Sequence, residues 1–272
     1  MALRADYHMH SNYSGDSDTT MESMILASIE KGLTHICFTD HIDFDYPYGA
    51  EDTPGMFEFN TDAYFYEAAR LKEKYINKIN VNIGIELGLQ PHLARQNAIF
   101  TKEHDYDFII GSSHVCNGID PYDARFFEGK TDEEAYRSYF QSILENIKVF
   151  GSFNVYGHLD YVVRYGKNRN ENFCYDQYKD ILDQILTKLI DKEIGIECNT
   201  AGYRKGLNNP NPCFDIIKRY HELGGEIITV GSDAHSPEEI ASHYDLASDV
   251  LEAAGFRYYS IFDGRMPQYL KL

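Results

Sequence analysis

Two histidines one residue apart, His8 and His10, open a series of residues able to hold a metal or move a proton, and Asp233 and His235 repeat the spacing near the other end of the chain. On an extended segment, residues two apart project to the same side, so each pair can address one ion. Between the pairs stand Thr39-Asp40-His41, Gly84-Ile85-Glu86, Ser112-Ser113-His114 and Gly157-His158. Imidazole and carboxylate donors without thiolate suit Zn, Fe or Mn, and such ions supply hydroxide at neutral pH and shield a phosphate. The five cysteines (Cys37, Cys116, Cys174, Cys198, Cys213) form no C-x-x-C pair, which predicts reduced thiols and argues against a thiolate zinc site.

Most of these residues follow a short apolar run. Runs rich in β-branched and aromatic residues predict strands near 5–8, 35–38, 81–85, 107–110, 154–156, 194–198, 226–230 and 258–262. Amphipathic stretches lie between them. Tyr178, Ile181, Leu182, Ile185, Leu186, Leu189 and Ile190 mark one helical face, with Gly195 expected to end that helix. A second helix is expected over 131–151, opened by a Thr131/Glu134 capping box. Ser236-Pro237-Glu238-Glu239 and Asn211-Pro212 both read as an N-cap followed by proline at the first helical position.

Strands alternating with helices imply parallel βαβ units. Six of the eleven histidines then fall at strand ends, whereas His35, His92, His104, His221 and His243 lie elsewhere. Strands about 4.8 Å apart in an open sheet would spread seven strand ends over roughly 30 Å, while a barrel gathers them in a ring. The expectation is therefore an α/β, TIM-like barrel, one domain over residues 1–272, with its site at the C-terminal face of the strands.

A hydrophobic share of 43% provides for a packed core, and no low-complexity tract suggests a linker. Lys+Arg 25 against Asp+Glu 43 leaves a formal charge of −18, which repels a phosphate backbone and argues against nucleic acid as a partner. No run is long and apolar enough to span a membrane, and Arg4 and Asp6 interrupt any signal-like segment, so a cytoplasmic protein is expected. If the ligand is an anion, bound divalent metals are the obvious local source of positive charge.

The ordered series His8-Met9-His10, Asp16, Thr39-Asp40-His41, Glu86, His114, Gly157-His158 and Ser232-Asp233-Ala234-His235 resembles the motifs of the PHP (polymerase and histidinol phosphatase) superfamily along nearly the whole chain. Gly157-His158-Leu159-Asp160-Tyr161 with Arg164, and Cys198-Asn199-Thr200 followed by Arg204, resemble the histidinol-phosphate phosphatases within it. The resemblance implies a distorted (β/α)7 barrel carrying three divalent metals. By motif, His8, His10, Glu86 and Asp233 would hold the first; Glu86, His114 and His158 the second; Asp16, His41 and His235 the third, with Asp18 as the alternative to Asp16. It also implies hydrolysis of a small phosphomonoester, L-histidinol phosphate above all, in histidine biosynthesis.

The corresponding chemistry is in-line attack on phosphorus by a metal-bridging hydroxide, with Arg164 and Arg204 clamping the phosphate oxygens bidentately. Asp233 or His41 would protonate the leaving alkoxide. Carboxylates in 43–58 or the 117–125 loop would answer the substrate's amine and imidazole. Rival readings are a phosphoesterase of the same superfamily acting on a sugar, nucleotide or protein phosphate, and a noncatalytic metal-binding barrel. Two further motifs compete. Cys198 and Arg204 have the C-x5-R spacing of cysteine-dependent phosphatases, although Glu197 beside the cysteine opposes a thiolate. Asp43-Phe44-Asp45 resembles the D-x-D of haloacid-dehalogenase-type phosphatases.

Overall fold

The computed structural model describes residues 3–49 and 52–272. Its wall is built from parallel strands whose interiors are fully buried: β1 (Ala5–Met9), β2 (His35–Phe38), a two-residue β3 (His41–Ile42), β4 (Asn80–Gly88), β5 (Phe108–Ser112), β6 (Val155–Tyr156), β7 (Gly195–Asn199) and β8 (Ile228–Gly231). The spatial order is β1-β2-β4-β5-β6-β7-β8, with β3 as an extra ladder on β4. The ring closes at its C-terminal rim: Asp233 N–H donates to the His8 carbonyl and His10 N–H to the Ala234 carbonyl, both at 2.8 Å. Closure thus brings the first and last chemically capable segments side by side.

Helices α1 (Met21–Glu30), α2 (Thr61–Tyr75), α3 (Ala94–Phe100), α4 (Asp132–Val149), α5 (Tyr175–Asp191), α6 (Ala201–Arg204), α7 (Phe214–Glu222) and α8 (Tyr244–Ala254) surround the wall. The capping box at Thr131 and Glu134 starts α4, and Tyr139, Phe140, Ile143 and Ile147 form its buried face. Each such side chain contributes roughly 1.5–3 kcal/mol on burial. The α5 stripe is buried as its spacing requires, from Tyr178 to Leu189.

Four expectations change. The run at 258–262 is a strand, β9 (Tyr258–Asp263), but it pairs antiparallel with β10 (Met266–Lys271) outside the barrel. Phe262 packs on Phe108 with ring centroids 4.9 Å apart, and its carbonyl accepts from the Tyr7 hydroxyl at 2.8 Å, so the hairpin covers the end opposite the histidines. No helix begins at Ser236: turns run to His243, because Glu239 accepts from the His235 N–H at 2.9 Å and faces Arg204 at 3.3 Å. Asn211 caps nothing either, and α7 begins at Phe214, since the Asn211 amide is committed to Asp160 and Arg164. At the end of α5 the turn is made not by Gly195, which opens β7, but by Glu193 at φ +57°.

Candidate metal centre and active site

Strands β1, β3, β4, β5, β6 and β8 deliver residues to the same rim. His8 ends inside β1 and His10 just beyond it; Glu86 lies in β4 directly beside His41 of β3; His114 and His158 follow β5 and β6 by two residues; Asp233 and His235 follow β8. Asp16 reaches in from the loop before α1, with its carboxylate 3.1 Å from His235 Nε2 and 3.6 Å from His41 Nε2. Asp18 is exposed and has no such contact. All nine residues named from the sequence are brought together.

Glu86 is the centre. Its Oε2 has His41 Nδ1 at 3.1 Å, His8 Nε2 at 3.2 Å and His10 Nε2 at 3.6 Å, and its Oε1 has His158 Nε2 at 2.8 Å and His114 Nε2 at 3.2 Å. Asp233 Oδ1 faces His10 Nε2 at 3.4 Å and His8 Nε2 at 3.7 Å. The rings of His41 and His235 stack on His10, with centroids 4.4 and 4.1 Å away.

The chemistry of this donor set can be tested on its own atoms. Among the described residues, His8 Nε2, His10 Nε2, His41 Nδ1 and Glu86 Oε2 are buried without a hydrogen-bond partner, although they converge on one point. Unpaired buried polar atoms are costly. Tetrahedral ligands about 2.0–2.1 Å from an ion lie roughly 3.3 Å from one another, which is the spacing found around Glu86. Among the described residues, four triads have ligand atoms within 4.8 Å of each other: His8/His10/Asp233, His8/Glu86/His158, His41/Glu86/His114 and His10/His41/His235. The set suits divalent metal ions.

Electrostatics point the same way. Burial opposes charge on every one of these groups, yet His8, His114 and His41 hold Glu86 well below the usual carboxylate range. Burial, then the neighbouring His235 and His41, push His10 down to about 3, leaving a neutral imidazole with a free lone pair. Such crowding of imidazoles is relieved when they share cations as ligands.

The residues that hold the donors in place belong to no motif legible in the sequence. Glu197, fully buried on β7, accepts from His8 Nδ1 at 2.6 Å and from the His158 N–H at 3.0 Å. Asp43 binds His114 Nδ1 at 2.8 Å, and the Ser112 hydroxyl donates to Glu86 Oε1 at 2.6 Å. The available signal for Glu197 was a lone acid in an otherwise apolar strand, two residues from Asn199 on the same face.

Above the donors lies a cavity of about 560 Å³ lined by His41, His114, His158, Arg164, Arg204 and Asp233 among others. Arg164 Nε donates to Asn211 Oδ1 at 2.9 Å and its Nη2 lies 3.4 Å from Asp233 Oδ2, while Nη1 has no hydrogen-bond partner among the described residues. Arg204 is more committed than a bidentate clamp requires: its Nη atoms donate to the Ser232 and Asp233 carbonyls at 2.8 and 2.9 Å and to Ser242 Oγ at 2.6 Å.

The two competing motifs are not assembled as sites. Cys198 is wholly buried, and its thiol is pushed up by burial and then by Glu197, the reverse of an activated nucleophile. Asp43 turns inward to His114 while Asp45 is exposed and faces His92 at 3.1 Å, so the two carboxylates of D-x-D diverge.

A family profile described as PHP domain matches residues 6–201. A histidinol-phosphatase of Lactococcus lactis subsp. lactis is 33% identical over 266 residues, spanning 96% of this chain and 95% of that one. A probable histidinol-phosphatase of Clostridium acetobutylicum is 32% identical over 267 residues, spanning 97% and 98%. The crystal structure of histidinol phosphate phosphatase from Lactococcus lactis subsp. lactis, complexed with Zn, L-histidinol and phosphate, superposes with a TM-score of 0.88 at 32% identity over 97% of this chain and 98% of that one. With the strand order, the rim of imidazoles and the profile in agreement, the chain belongs to the PHP domain family.

Proposed function

We propose that this protein is a metal-dependent phosphomonoesterase that hydrolyses L-histidinol phosphate to L-histidinol and phosphate, a step of histidine biosynthesis. The observation that carries the reading is the full-length likeness to the histidinol-phosphatases, joined to a buried donor cluster beneath an arginine-lined cavity. Three divalent ions, Zn, Fe or Mn, would be held by His8, His10, Glu86 and Asp233, by Glu86, His114 and His158, and by Asp16, His41 and His235. Such ions supply Lewis acidity toward phosphate oxygens and lower the pKa of water at neutral pH. They also account for an anionic substrate on a chain of charge −18.

The chain's own residues do the rest. Arg164, fixed at Nε by Asn211 and free at Nη1, binds a phosphate oxygen. Arg204, with its N–H groups largely spent on backbone carbonyls, holds the β8 loop and adds positive charge to the same wall. Asp233 and His41 face the cavity and are the groups placed to hand a proton to the leaving oxygen. The protein acts as one domain on a small molecule in the cytoplasm; no helix among the described residues is long and apolar enough to cross a membrane.

Turnover of a phosphomonoester panel by the purified protein, paired with metal analysis, tests the assignment. L-histidinol phosphate should be hydrolysed with the highest kcat/KM, and solvent oxygen should enter the phosphate and not the alcohol. A tenfold preference for a sugar, nucleotide or protein phosphate would overturn the substrate while leaving the reaction class.

A further inference from the structure

Asp160 belongs to the segment 157–161 that carries His158, yet its carboxylate makes no hydrogen bond to a metal donor among the described residues. It is 2% exposed, and neither it nor its partner Asn211 is among the described residues that line the cavity. Both its oxygens are spent on one stretch of chain: Oδ1 accepts from Asn211 Nδ2 at 2.5 Å and Oδ2 from the Cys213 N–H at 2.9 Å. Asn211 is wholly buried and is pinned through its main chain as well, its N–H donating to the Asn199 carbonyl at 2.8 Å and its carbonyl accepting from the Asn199 N–H at 2.9 Å. What it presents to the guanidinium is the carboxamide oxygen, to which Arg164 Nε donates at 2.9 Å.

A carboxamide can be turned over with almost no change of shape, but its two ends have opposite chemistry, an accepting oxygen and a donating NH2. An arginine edge made of N–H groups needs the oxygen. A carboxylate only accepts, so Asp160 draws the NH2 to its own side and leaves the oxygen to Arg164. The acid and the arginine leave the chain one turn apart, because Asp160 opens and Arg164 ends a single turn of 3-10 helix, Tyr161–Arg164. The adjoining nitrogen of the guanidinium is held too: Nη2 lies 3.4 Å from Asp233 Oδ2 and 3.5 Å from Asn199 Oδ1, and Cζ lies over the Tyr161 ring, 5.3 Å from its centroid. With the amide reversed, two donors would face each other at Nε, and the attraction of Asp233 would pull the guanidinium toward a metal donor instead of leaving it to the cavity.

We propose that Asp160 is a positioning residue for the phosphate: by fixing the orientation of the Asn211 amide it sets Arg164 with Nε and Nη2 occupied and Nη1 left for a phosphate oxygen. The proposal rests on the reading of the cavity as a phosphomonoester site. Asp160 acts only through Asn211 and Arg164, so its influence belongs to the phosphate and is the same for every phosphomonoester, whatever the alcohol. The arrangement also accounts for a buried acid kept near the guanidinium but not on it. Direct contact would pair away the charge that an anionic ligand requires, whereas the intervening amide orients the arginine and leaves its charge available.

The experiment is a double-mutant cycle on the metal-loaded protein: wild type, Asp160→Asn, Arg164→Ala and the double variant. Each is assayed for kcat/KM on L-histidinol phosphate and on p-nitrophenyl phosphate and for inhibition by inorganic phosphate, with bound metal and thermal midpoint recorded. An asparagine side chain can offer oxygen to only one of the two N–H groups that Asp160 serves, which releases the Asn211 amide to turn. Asp160→Asn should lower kcat/KM by about 10-fold for both esters alike and raise the inhibition constant of phosphate by a similar factor, at unchanged metal content. It should add less than about twofold to the loss already caused by Arg164→Ala. Losses that multiply in the double variant, a fall in bound metal that accounts for the lost activity, or phosphate inhibition equal to that of the wild type would overturn the positioning role and leave the phosphatase reading in place. A metal-loaded wild type that hydrolyses neither ester removes that reading and the proposal with it. Should Asp160→Asn melt below the assay temperature, Asn211→Ala, which removes the link and leaves both charges, takes its place in the cycle and must show the same non-additivity; multiplying losses there overturn the role.

Discussion

The carboxylate of Glu197 receives His8 Nδ1 at 2.6 Å, which leaves Nε2 as the nitrogen facing Glu86 and Asp233. Asn199 Nδ2 holds Glu197 Oε2 at 3.1 Å and Asp233 Oδ2 at 3.2 Å, so one amide ties the support of the first histidine to the carboxylate opposite it. Outer carboxylates of this kind set the tautomer and raise the basicity of an imidazole ligand. Glu197→Gln keeps the size and one acceptor but loses the charge. The expected result is a loss of about 10- to 100-fold in affinity for divalent metal, read by titrating metal away with a competing chelator and measuring what the protein retains. Equal retention by wild type and variant would show that His8 is oriented by packing alone. Neither Glu197 nor Asp43 was legible as a supporting residue, because a contact 189 residues apart in sequence leaves no local spacing to read. The ligands themselves were legible because strand ends place them, and H-x-H and D-x-H fix their direction. Asp233 and His158 add a feature that sequence hides: both have positive φ, +54° and +21°, a conformation that costs roughly 1–2 kcal/mol outside glycine and is held at Asp233 by its N–H bond to the His8 carbonyl and at His158 by its N–H bond to Glu197.

Elements were read best where a face repeats. The α5 stripe and the α4 capping box needed no tertiary information, whereas the N-terminal signals at Ser236 and Asn211 were overruled by side chains from elsewhere: Arg204 and His235 occupy Glu239, and Arg164 and Asp160 occupy Asn211. The run at 258–262 was legible as a strand, but its place outside the barrel was not, since an apolar run does not say which edge it joins. Between α5 and α7 a bidentate pair does the docking: Arg219 Nε and Nη2 donate to Asp183 Oδ1 and Oδ2, both at 2.9 Å. Arg219 holds the Asp183 carboxyl below its ordinary range. A depressed carboxylate pKa gives stability that is present above the unfolded value, about 3.9, and disappears as the pH falls through the lower folded value. Asp183→Asn should therefore cost up to about 1 kcal/mol at neutral pH, discounted because both side chains are about one-quarter exposed, and the gap to wild type should close in acid. Melting curves between neutral pH and pH about 3 check this; a gap that widens in acid would reverse the sign of the argument.

At the scale of the molecule, the barrel concentrates Asp16, Glu86, Asp233 and six imidazoles at the rim where its first and last strands meet, inside a chain that already carries −18. Buried lone pairs there have no hydrogen-bond partner among the described residues, so the folded state without cations retains the desolvation cost of His8 Nε2, His10 Nε2, His41 Nδ1 and Glu86 Oε2. Ions that bind this assembled set and not the unfolded chain stabilise folding by about 2.7 kcal/mol when free metal is 100 times the dissociation constant. For a domain of this size each kcal/mol moves the midpoint by roughly 2–4 °C, so stripping the metal with a chelator should lower Tm by about 5–10 °C. Zn, Mn or Fe added after dialysis should restore both the midpoint and phosphate release, whereas raising monovalent salt should restore neither, because screening reaches surface charge and not a buried donor set. The comparison of chelated and reloaded protein by calorimetry and turnover decides the matter: if the stripped protein melts where the loaded protein does and still releases phosphate, the imidazole rim is a structural network, and hydrolysis has to be sought without it.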